Sequence, residues 1–544
     1  MTVYSSPYGT VHQHPRPVHY AILSKISEVC EKDPSKPAFV TVDDSSVVTY
    51  SRLRDECISL SHFLSSRGFQ RQTACIVLSN RYEYLPFLVA VNARGGIQSG
   101  ASALFTQSEL AQQMRDSKAT LILTDEDHLD LITGAAKGND SIKTIVVIGV
   151  SSNASLPSHF VDWSEAVRTA HDGRLASVPV DVDKDIAFLP YSSGTTGVPK
   201  GVMLTHTNVV STFDVLLHWL VDVNSRGRTP LNWSEEKTLL YLPFYHMYGQ
   251  AKLCATVLLG GTGVIISAFN PLAFLEAIQE HEISLLLTVP PILVFLAKSP
   301  LCANYNLSSI RRLATGAAPA GKDLCDDVMR RYPHLESIEQ LYGQSECILC
   351  TSPDEGSRRK MTCVGKVAQG HEMRLVDPDT GKDAARGDRG EIWMKGPAVM
   401  AGYLGRPDAT AETIVDGWLH TGDIAIMDDD GDVFIVDRLK ELIKVKGLQV
   451  APAELEDLLL SHPKIADAAV IGVPDERSGE LPKAFIVKAD DTLTEKEINE
   501  YMNGKVSVYK RLGGGIEFIP EVPRTPSGKI MRKDLRARQN RSRI

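Results

Sequence analysis

The segment Tyr191-Ser192-Ser193-Gly194-Thr195-Thr196-Gly197-Val198-Pro199-Lys200-Gly201 constrains this chain more than any other stretch. The apolar run Ala187-Phe188-Leu189-Pro190 leads into it, and a helical pattern from Asn208 to Leu220 follows. Glycines let the backbone curl so that several amide N–H groups face one anion, and the hydroxyls add donors. Lys200 supplies the positive charge a phosphate chain requires. A flexible Ser/Gly/Thr linker would need neither the buried strand nor the lysine. The segment is not a Walker A element, because Gly201 follows Lys200 where that motif has Ser or Thr. It predicts a phosphate-gripping loop of another kind, set between a strand and a helix.

At 544 residues the chain exceeds a single hydrophobic core. A net charge of −9 argues against nucleic acid as the main partner. The polar opening, Met1 to Tyr20, has no apolar core of a secretory signal. The longest apolar stretches, Leu253–Phe269 and Leu285–Ala297, are broken by Gly260-Gly261 and by Pro290-Pro291, so they predict buried strand–turn–helix pieces and no transmembrane segment. Nine scattered cysteines fit a reducing compartment better than a disulfide framework. Cys347 and Cys350 form a C-x-x-C, but without a fourth ligand they read as apolar lining.

Between about residues 20 and 435 short apolar strands alternate with helical segments, among them Thr73–Ser79 then Tyr84–Ala93, and Ile310–Ala314 then Lys322–Arg331. Such alternation predicts an α/β fold of stacked layers with largely parallel sheets. After the strand 432–436 comes a dense charge run, Asp437-Arg438-Leu439-Lys440-Glu441. Beyond it the pattern is a small α+β unit, with Pro452 at the first turn of a helix over 452–460 and a capping box Thr494-x-x-Glu497. The expected organisation is a large N-terminal domain over 1–436, a hinge at 437–440 and a small mobile C-terminal domain over 441–544.

Four further segments carry chemistry. Gln340-Leu341-Tyr342-Gly343-Gln344-Ser345-Glu346 places a carboxylate after a glycine turn, a donor suited to Mg²⁺. Gly417-Trp418-Leu419-His420-Thr421-Gly422-Asp423 ends on a carboxylate able to accept two hydroxyl hydrogen bonds. The third runs from Asp437 through Lys444, Gly447 and Gln449 to Glu456. The fourth, Pro523-Arg524-Thr525-Pro526-Ser527-Gly528-Lys529-Ile530, projects a cation from a turn. With the loop at 191–201 these segments resemble, in order, the signatures of the adenylate-forming (AMP-binding) superfamily, in the acyl-CoA synthetase and 4-coumarate–CoA ligase branch.

The resemblance implies an ATP-dependent acid–thiol ligase that makes an acyl-CoA thioester through an acyl-adenylate. ATP, Mg²⁺ and coenzyme A are the implied cofactors and co-substrates, and a small carboxylic acid the partner. It implies that Ser192, Ser193, Gly194, Thr195, Thr196 and Lys200 grip the phosphates, while Ala317, Gln340, Tyr342 and Ser345 border the nucleotide. Asp423 and Arg438 would hold the ribose, and Thr195 and Glu346 the metal. Lys529 would neutralise carboxylate and α-phosphate as charge develops between them. Lys440 would be the pivot, Lys444 and Gln449 functional, and Gly447 close to CoA. In the segment 242–249 His246 would border the acid pocket, with Tyr245, Tyr248, Ala251, Gly316, Leu341 and Cys347 as its walls.

Departures from the 4-coumarate ligase pattern bear on the acid. Ala251 stands where a polar group would meet a ring hydroxyl, Leu341 where glycine is usual, and Cys347-Ile348-Leu349 where Ala-Gly-Pro is usual. They predict a medium or long aliphatic, or otherwise apolar, acid and a place in fatty acid metabolism. The alternatives left open are a 4-coumarate-type aryl acid ligase, a luciferase-like enzyme and a non-catalytic nucleotide-binding scaffold. Ser542-Arg543-Ile544 has the small–basic–aliphatic form of a peroxisomal address, the alternative being a cytoplasmic protein with an ordinary solvated tail.

Overall fold

Strand–helix alternation in the first 430 residues builds several parallel sheets in the computed structural model. The structure describes residues 2–10, 16–150, 159–192, 199–446, 448–475, 477–503, 505–525 and 528–541, the side chains of residues 449, 540 and 541 excepted. Ser193, Gly194, Thr195, Thr196, Gly447 and the tripeptide Ser542-Arg543-Ile544 therefore lie outside the described residues, as does the side chain of Gln449.

One sheet runs in parallel order Ile97–Ala101, Thr73–Val77, Ala119–Asp125, Thr144–Ile148, Phe160–Asp162. Strand Ile186–Phe188 extends it, and Lys200–Thr205 then pairs antiparallel, bringing the exit of the phosphate segment to the sheet edge. Helix Tyr84–Ala93 is buried along its whole length, in keeping with a sequence apolar except for Asn92, whose amide donates to the Gly96 and Ala187 carbonyls. A second sheet holds Lys237–Leu240, Thr262–Ile265 and Pro37–Thr41 in parallel. A third holds Leu285–Thr288, Arg312–Thr315 and Ser337–Gln340 in parallel, and their carboxyl ends face one cleft. An antiparallel sheet that includes Glu372–Val376, Gly390–Lys395, Trp418–Met427 and Val433–Arg438 closes the large domain.

The apolar stretch at 253–269 is organised in the reverse of the predicted order. Helix Met247–Leu258 comes first and strand Thr262–Ile265 second, with Gly260 at φ +74° turning the chain between them. The stretch at 285–297 follows the prediction, strand Leu285–Thr288 passing through Pro290 into helix Pro290–Lys298.

The small domain has its own core around Ile443, Leu455, Val470, Ile486 and Ile498. Its sheet pairs the long hairpin Ile465–Asp475 and Gly479–Lys488, flanked by Ile443–Val445 and by Ile516–Phe518. Helix Pro452–Leu460 begins at its proline, and Thr494 accepts the Glu497 N–H at 3.2 Å as its capping sequence predicts. All nine cysteines are buried and free. Among the described residues no helix is long and apolar enough to cross a membrane.

Candidate functional site

A cleft of about 980 Å³ of atom-free space, part of it open to solvent, lies where the parallel strands end. Leu287, Val289, Gly316 and Leu341 come from those strand ends, Tyr248, Ala251 and Lys252 from helix Met247–Leu258, and Lys529 from the small domain. Ala317 also lines it and holds φ +69°, a left-handed conformation that costs a residue with a Cβ about 1 kcal/mol or more. Gly316 beside it is tight: a Cβ there would come within 3.2 Å of the Leu341 carbonyl oxygen and 3.9 Å of the Tyr248 ring.

His246 lines the cleft as well, from the cap position that opens helix Met247–Leu258 and not from a strand. Burial, with Lys529 nearby, pushes its pKa down to about 4, so the imidazole is neutral at physiological pH. Lys529 is itself lowered by burial and by Arg438, an effect that Asp423 and Glu346 oppose. Its turn is firmly built. The Lys529 N–H donates to Thr525 Oγ1 at 3.1 Å, Arg524 donates to the Gly528 carbonyl at 2.9 Å, and Arg524 pairs with Asp467 at 2.8 Å. Gly528, at φ +83°, seats this turn on Pro291 of the large domain.

Asp423 is buried and already engaged at both oxygens. Tyr342 donates its hydroxyl to Oδ2 at 2.7 Å, and Arg438 Nε reaches Oδ1 at 3.2 Å. Burial, then the Asp423 charge, pushes the Tyr342 phenol well above its ordinary range, so it remains a donor. Each carboxylate oxygen keeps a further lone pair for a ligand hydroxyl.

Tyr403 was not singled out from the sequence, yet it joins two predicted site residues. Its hydroxyl donates to Glu346 Oε1 at 2.8 Å, and Lys200 Nζ stands 4.9 Å from its ring centroid. Strand Gly402–Tyr403 pairs with Lys200–Thr205, which explains why they meet. The signal was the pair Gly402-Tyr403 ahead of Pro407, too short to read alone. Glu346 fits a hard cation: among the described residues its Oε2 takes no hydrogen bond, and oxygen donors suit Mg²⁺. The trio Asp428, Asp430 and Asp432 also lies within metal-binding reach, but Lys360 occupies it with ion pairs of 2.5, 2.8 and 2.7 Å.

Several placements differ from the sequence expectation. Gln340 does not offer its side chain to the cleft; it accepts the Ala320 N–H at 2.9 Å and donates to the carbonyls of Ala320 and Met361, pinning the loop that carries Gly316 and Ala317. Cys347 is fully buried in the core and does not wall the cavity, whereas Ile348 and Leu349 do. Cys350 and His371 hold the Cys347 thiol below its usual range. Tyr245 also lies outside the lining; its backbone packs on Gly100, where a Cβ would come within 2.8 Å of the Tyr245 Cα. Lys444 is exposed on strand Ile443–Val445, its N–H held by Glu480, and Lys440 is exposed in the turn after Arg438. Neither lines the cleft in this orientation of the small domain. Tyr248, Ala251, Gly316, Ala317, Leu341, Tyr342, Ser345, His246 and Lys529 do. Ser192 pairs with Lys200 across the base of the phosphate segment.

Comparison with known proteins agrees with this architecture. The model of the AMP-binding enzyme family matches residues 26–404, and that of the AMP-binding enzyme C-terminal domain matches residues 454–529. A 4-coumarate–CoA ligase of Nicotiana tabacum is 38% identical over 533 residues, covering 96% of this chain and 94% of that one. Among solved structures, an anthranilate CoA ligase bound to anthranoyl-AMP superposes with a TM-score of 0.85 at 24% identity, over 96% of this chain and 98% of that chain. The o-succinylbenzoate CoA synthetase of Bacillus subtilis, bound to its acyl-adenylate, gives 0.78 at 25% identity, over 96% of this chain and 98% of that chain. The chain therefore belongs to the AMP-binding enzyme family and is an AMP-forming acid–CoA ligase.

Proposed function

We propose that this ligase activates an aryl carboxylic acid of the arylpropenoic type. The observation that carries the reading is an apolar cleft, bordered by Gly316 and the Tyr248 ring with little room for a Cβ at Gly316, in a chain 38% identical along 96% of its length to 4-coumarate–CoA ligases. A flat ring fits such a slot without the entropy that a long alkyl chain loses on binding. Ala251, Leu341, Ile348 and Leu349, from which an aliphatic acid was expected, are apolar walls that suit an aryl ring equally well.

In this reading the acid lies along the cleft with its carboxylate between His246 and Lys529. The neutral His246 orients it through a ring N–H and adds no competing charge. Carboxylate oxygen attacks the α-phosphorus of ATP in line, the bond to the β-phosphate oxygen breaks, and acyl-AMP and pyrophosphate form. Lys529 neutralises charge on both reactants, and Asp423 accepts the ribose hydroxyls, held ready by Tyr342 and Arg438. Glu346, with the Thr195 hydroxyl, would hold Mg²⁺, which neutralises phosphate charge when bound. The small domain then turns about the 437–440 segment, pivoting at Lys440 and withdrawing Lys529. The CoA thiolate attacks the acyl carbon and AMP leaves. Lys444, Gly447 and Gln449 are read as the face presented in that second half-reaction.

Two measurements test this. Thioester formation should be fastest with arylpropenoic acids in a panel that includes octanoic and palmitic acids; a higher kcat/KM on the alkanoic acids overturns the aryl reading. Lys529→Ala should lose acyl-AMP formation by about 100-fold or more, yet still convert supplied acyl-AMP to thioester. Equal loss of both half-reactions would refute the division of labour.

A further inference from the structure

Helix Gln107–Asp116 ends on a carboxylate, the wrong charge for that position. The free carbonyls of a helix C-terminus carry partial negative charge, so the local preference there is for lysine or arginine. Asp116 directs its two oxygens to distant segments instead. Oδ2 accepts the Tyr191 hydroxyl at 2.8 Å, and Oδ1 accepts a guanidinium N–H of Arg406 at 3.1 Å. Between these partners runs strand Lys200–Thr205. It pairs with Tyr191–Ser192 and with Gly402–Tyr403, and the two neighbours lie on opposite edges: the Val202 N–H donates to the Pro190 carbonyl, while the Gly201 carbonyl accepts the Leu404 N–H. The Tyr191 ring crosses over Gly201 to reach Asp116. A Cβ on Gly201 would come within 3.2 Å of the ring Cζ and 3.3 Å of the hydroxyl oxygen, so this crossing favours glycine after Lys200. Burial, then the Asp116 contact, pushes the Tyr191 phenol well above its ordinary range, and it remains a donor. The Arg406 side chain is 43% exposed, so solvent screens its ion pair and the hydroxyl contact is the stronger hold.

We infer that Asp116 is a positioning residue for Mg·ATP binding, closing a clasp over strand Lys200–Thr205 that holds Lys200 and Tyr403 in fixed relation. It lies outside the cleft lining and acts through Tyr191 on one flank of the strand and Arg406 on the other. Ser192 pairs opposite Lys200, so the Tyr191 side of the clasp anchors the mouth of the phosphate segment. The Arg406 side anchors the turn after Tyr403, whose hydroxyl donates to Glu346. This role rests on the proposed assignment of Lys200 to the ATP phosphates. Stabilising its own helix is not what Asp116 is placed for, because its charge opposes the helix dipole.

The test is ATP–pyrophosphate exchange in the full chain, titrated separately in Mg·ATP and in the acid, with Lys200→Ala as the reference. Asp116→Ala should raise the KM for Mg·ATP about three- to tenfold and leave the KM for the acid unmoved. Tyr191→Phe, which removes only the hydroxyl, should reproduce most of that rise. The double variant Asp116→Ala with Tyr191→Phe should be no worse than Asp116→Ala, because both remove one shared contact. Asp116→Asn keeps a carbonyl oxygen for the Tyr191 hydroxyl and should show a smaller rise than alanine. An aspartate with a merely structural role would shift the melting temperature, or both KM values alike, without singling out Mg·ATP. Wild-type Mg·ATP kinetics in Asp116→Ala, or additive losses in the double variant, overturn the clasp. A Lys200→Ala protein with unchanged Mg·ATP kinetics overturns the phosphate reading on which the clasp rests, whereas loss in Lys200→Ala alone overturns only the clasp. If Asp116→Ala fails to fold, Tyr191→Phe and Asp116→Asn decide it: the phenylalanine variant must show the larger rise in KM for Mg·ATP, and equal or reversed effects refute the role.

Discussion

Tyr403→Phe isolates one contact between the strand that carries Lys200 and Glu346, the carboxylate proposed to hold the metal. The substitution keeps the ring beneath Lys200, 4.9 Å from its ammonium, and removes only the hydroxyl that donates to Glu346 at 2.8 Å. Glu346 and Tyr403 are only 8% and 7% exposed, so water replaces the lost donor poorly. A hydrogen bond to a charged group contributes about 1.5–3 kcal/mol, and 1.4 kcal/mol is tenfold. Expressed fully on Mg·ATP, the change lowers kcat/KM for the nucleotide by about 10- to 100-fold. The KM for the acid should hardly move, because Tyr403 does not line the acid cleft.

The assay is ATP–pyrophosphate exchange at saturating acid, titrated in Mg·ATP, with Tyr403→Ala alongside. Alanine also removes the ring, and a cation–π contact of about 0.5–1 kcal/mol predicts a further two- to fivefold loss. A Tyr403→Phe protein with wild-type Mg·ATP kinetics would refute the claim that this hydroxyl orients Glu346. An equal loss for both acid and nucleotide would point instead to a general collapse of the cleft.

Two other predictions concern stability and domain docking. His206 is fully buried, and burial brings its pKa from 6.5 to about 4 while its Nδ1 accepts the Val18 N–H. The folded state therefore binds fewer protons than the unfolded state between those values. Its contribution is present above pH 6.5 and is lost as pH falls toward 4, to a limit of ~3 kcal/mol. Thermal melts should show a fall from pH 7 to pH 5 that is shallower in His206→Gln, and identical slopes would refute the assignment. At the domain contact, a Cβ on Gly321 would lie 1.3 Å from Asp457 Oδ1. Gly321→Ala should displace the Asp457 side chain and slow acyl-AMP formation several-fold. Conversion of supplied acyl-AMP should be spared, and equal slowing of both steps would contradict a docking role.

The sequence was most informative where chemistry is written into contiguous residues. Lys529 lines the cleft within electrostatic reach of Glu346 and Asp423, and Lys200 meets Tyr403, the partner of Glu346, although these residues span more than three hundred positions of chain. Helices Tyr84–Ala93, Lys322–Arg331 and Pro452–Leu460 also follow their predicted bounds, since apolar periodicity and proline position are local signals. What escaped prediction depends on packing between distant segments. Tyr403 reaches Glu346 only because two strands pair, and Gln340 serves the loop at 316–320 because its polar atoms meet backbone there. Cys347, expected in the pocket wall, lies in the core for a similar reason, while Ile348 and Leu349 line the cleft. Gly343 lies where a Cβ would be 1.9 Å from the Ile348 carbonyl oxygen, and this close hairpin sets which side chains turn inward.

The proposed mechanism asks Lys529 to serve one half-reaction and not obstruct the other, and the way its turn is built fits that demand. Among the described residues no sheet contact fixes it to the cleft; its place depends on a turn built within the small domain and laid against the large one. Arg524, paired with Asp467 and donating to Gly528, keeps the turn rigid whichever way the domain faces. Three of the small domain's contacts to the large domain are polar or made by small groups. Gly528 rests on Pro291, Lys298 donates to the carbonyls of Leu460 and Ile465 at 3.1 and 2.8 Å, and Asp457 packs over Gly321. Burial and the neighbouring Asp323 raise Asp457 to about 6, so this contact buries a carboxylate at a cost and is poised to release it. In the proposed mechanism, such a turn would deliver the lysine at a defined position and let it leave as a unit when the small domain turns. A tighter interface would favour the adenylate step at the expense of thioester formation.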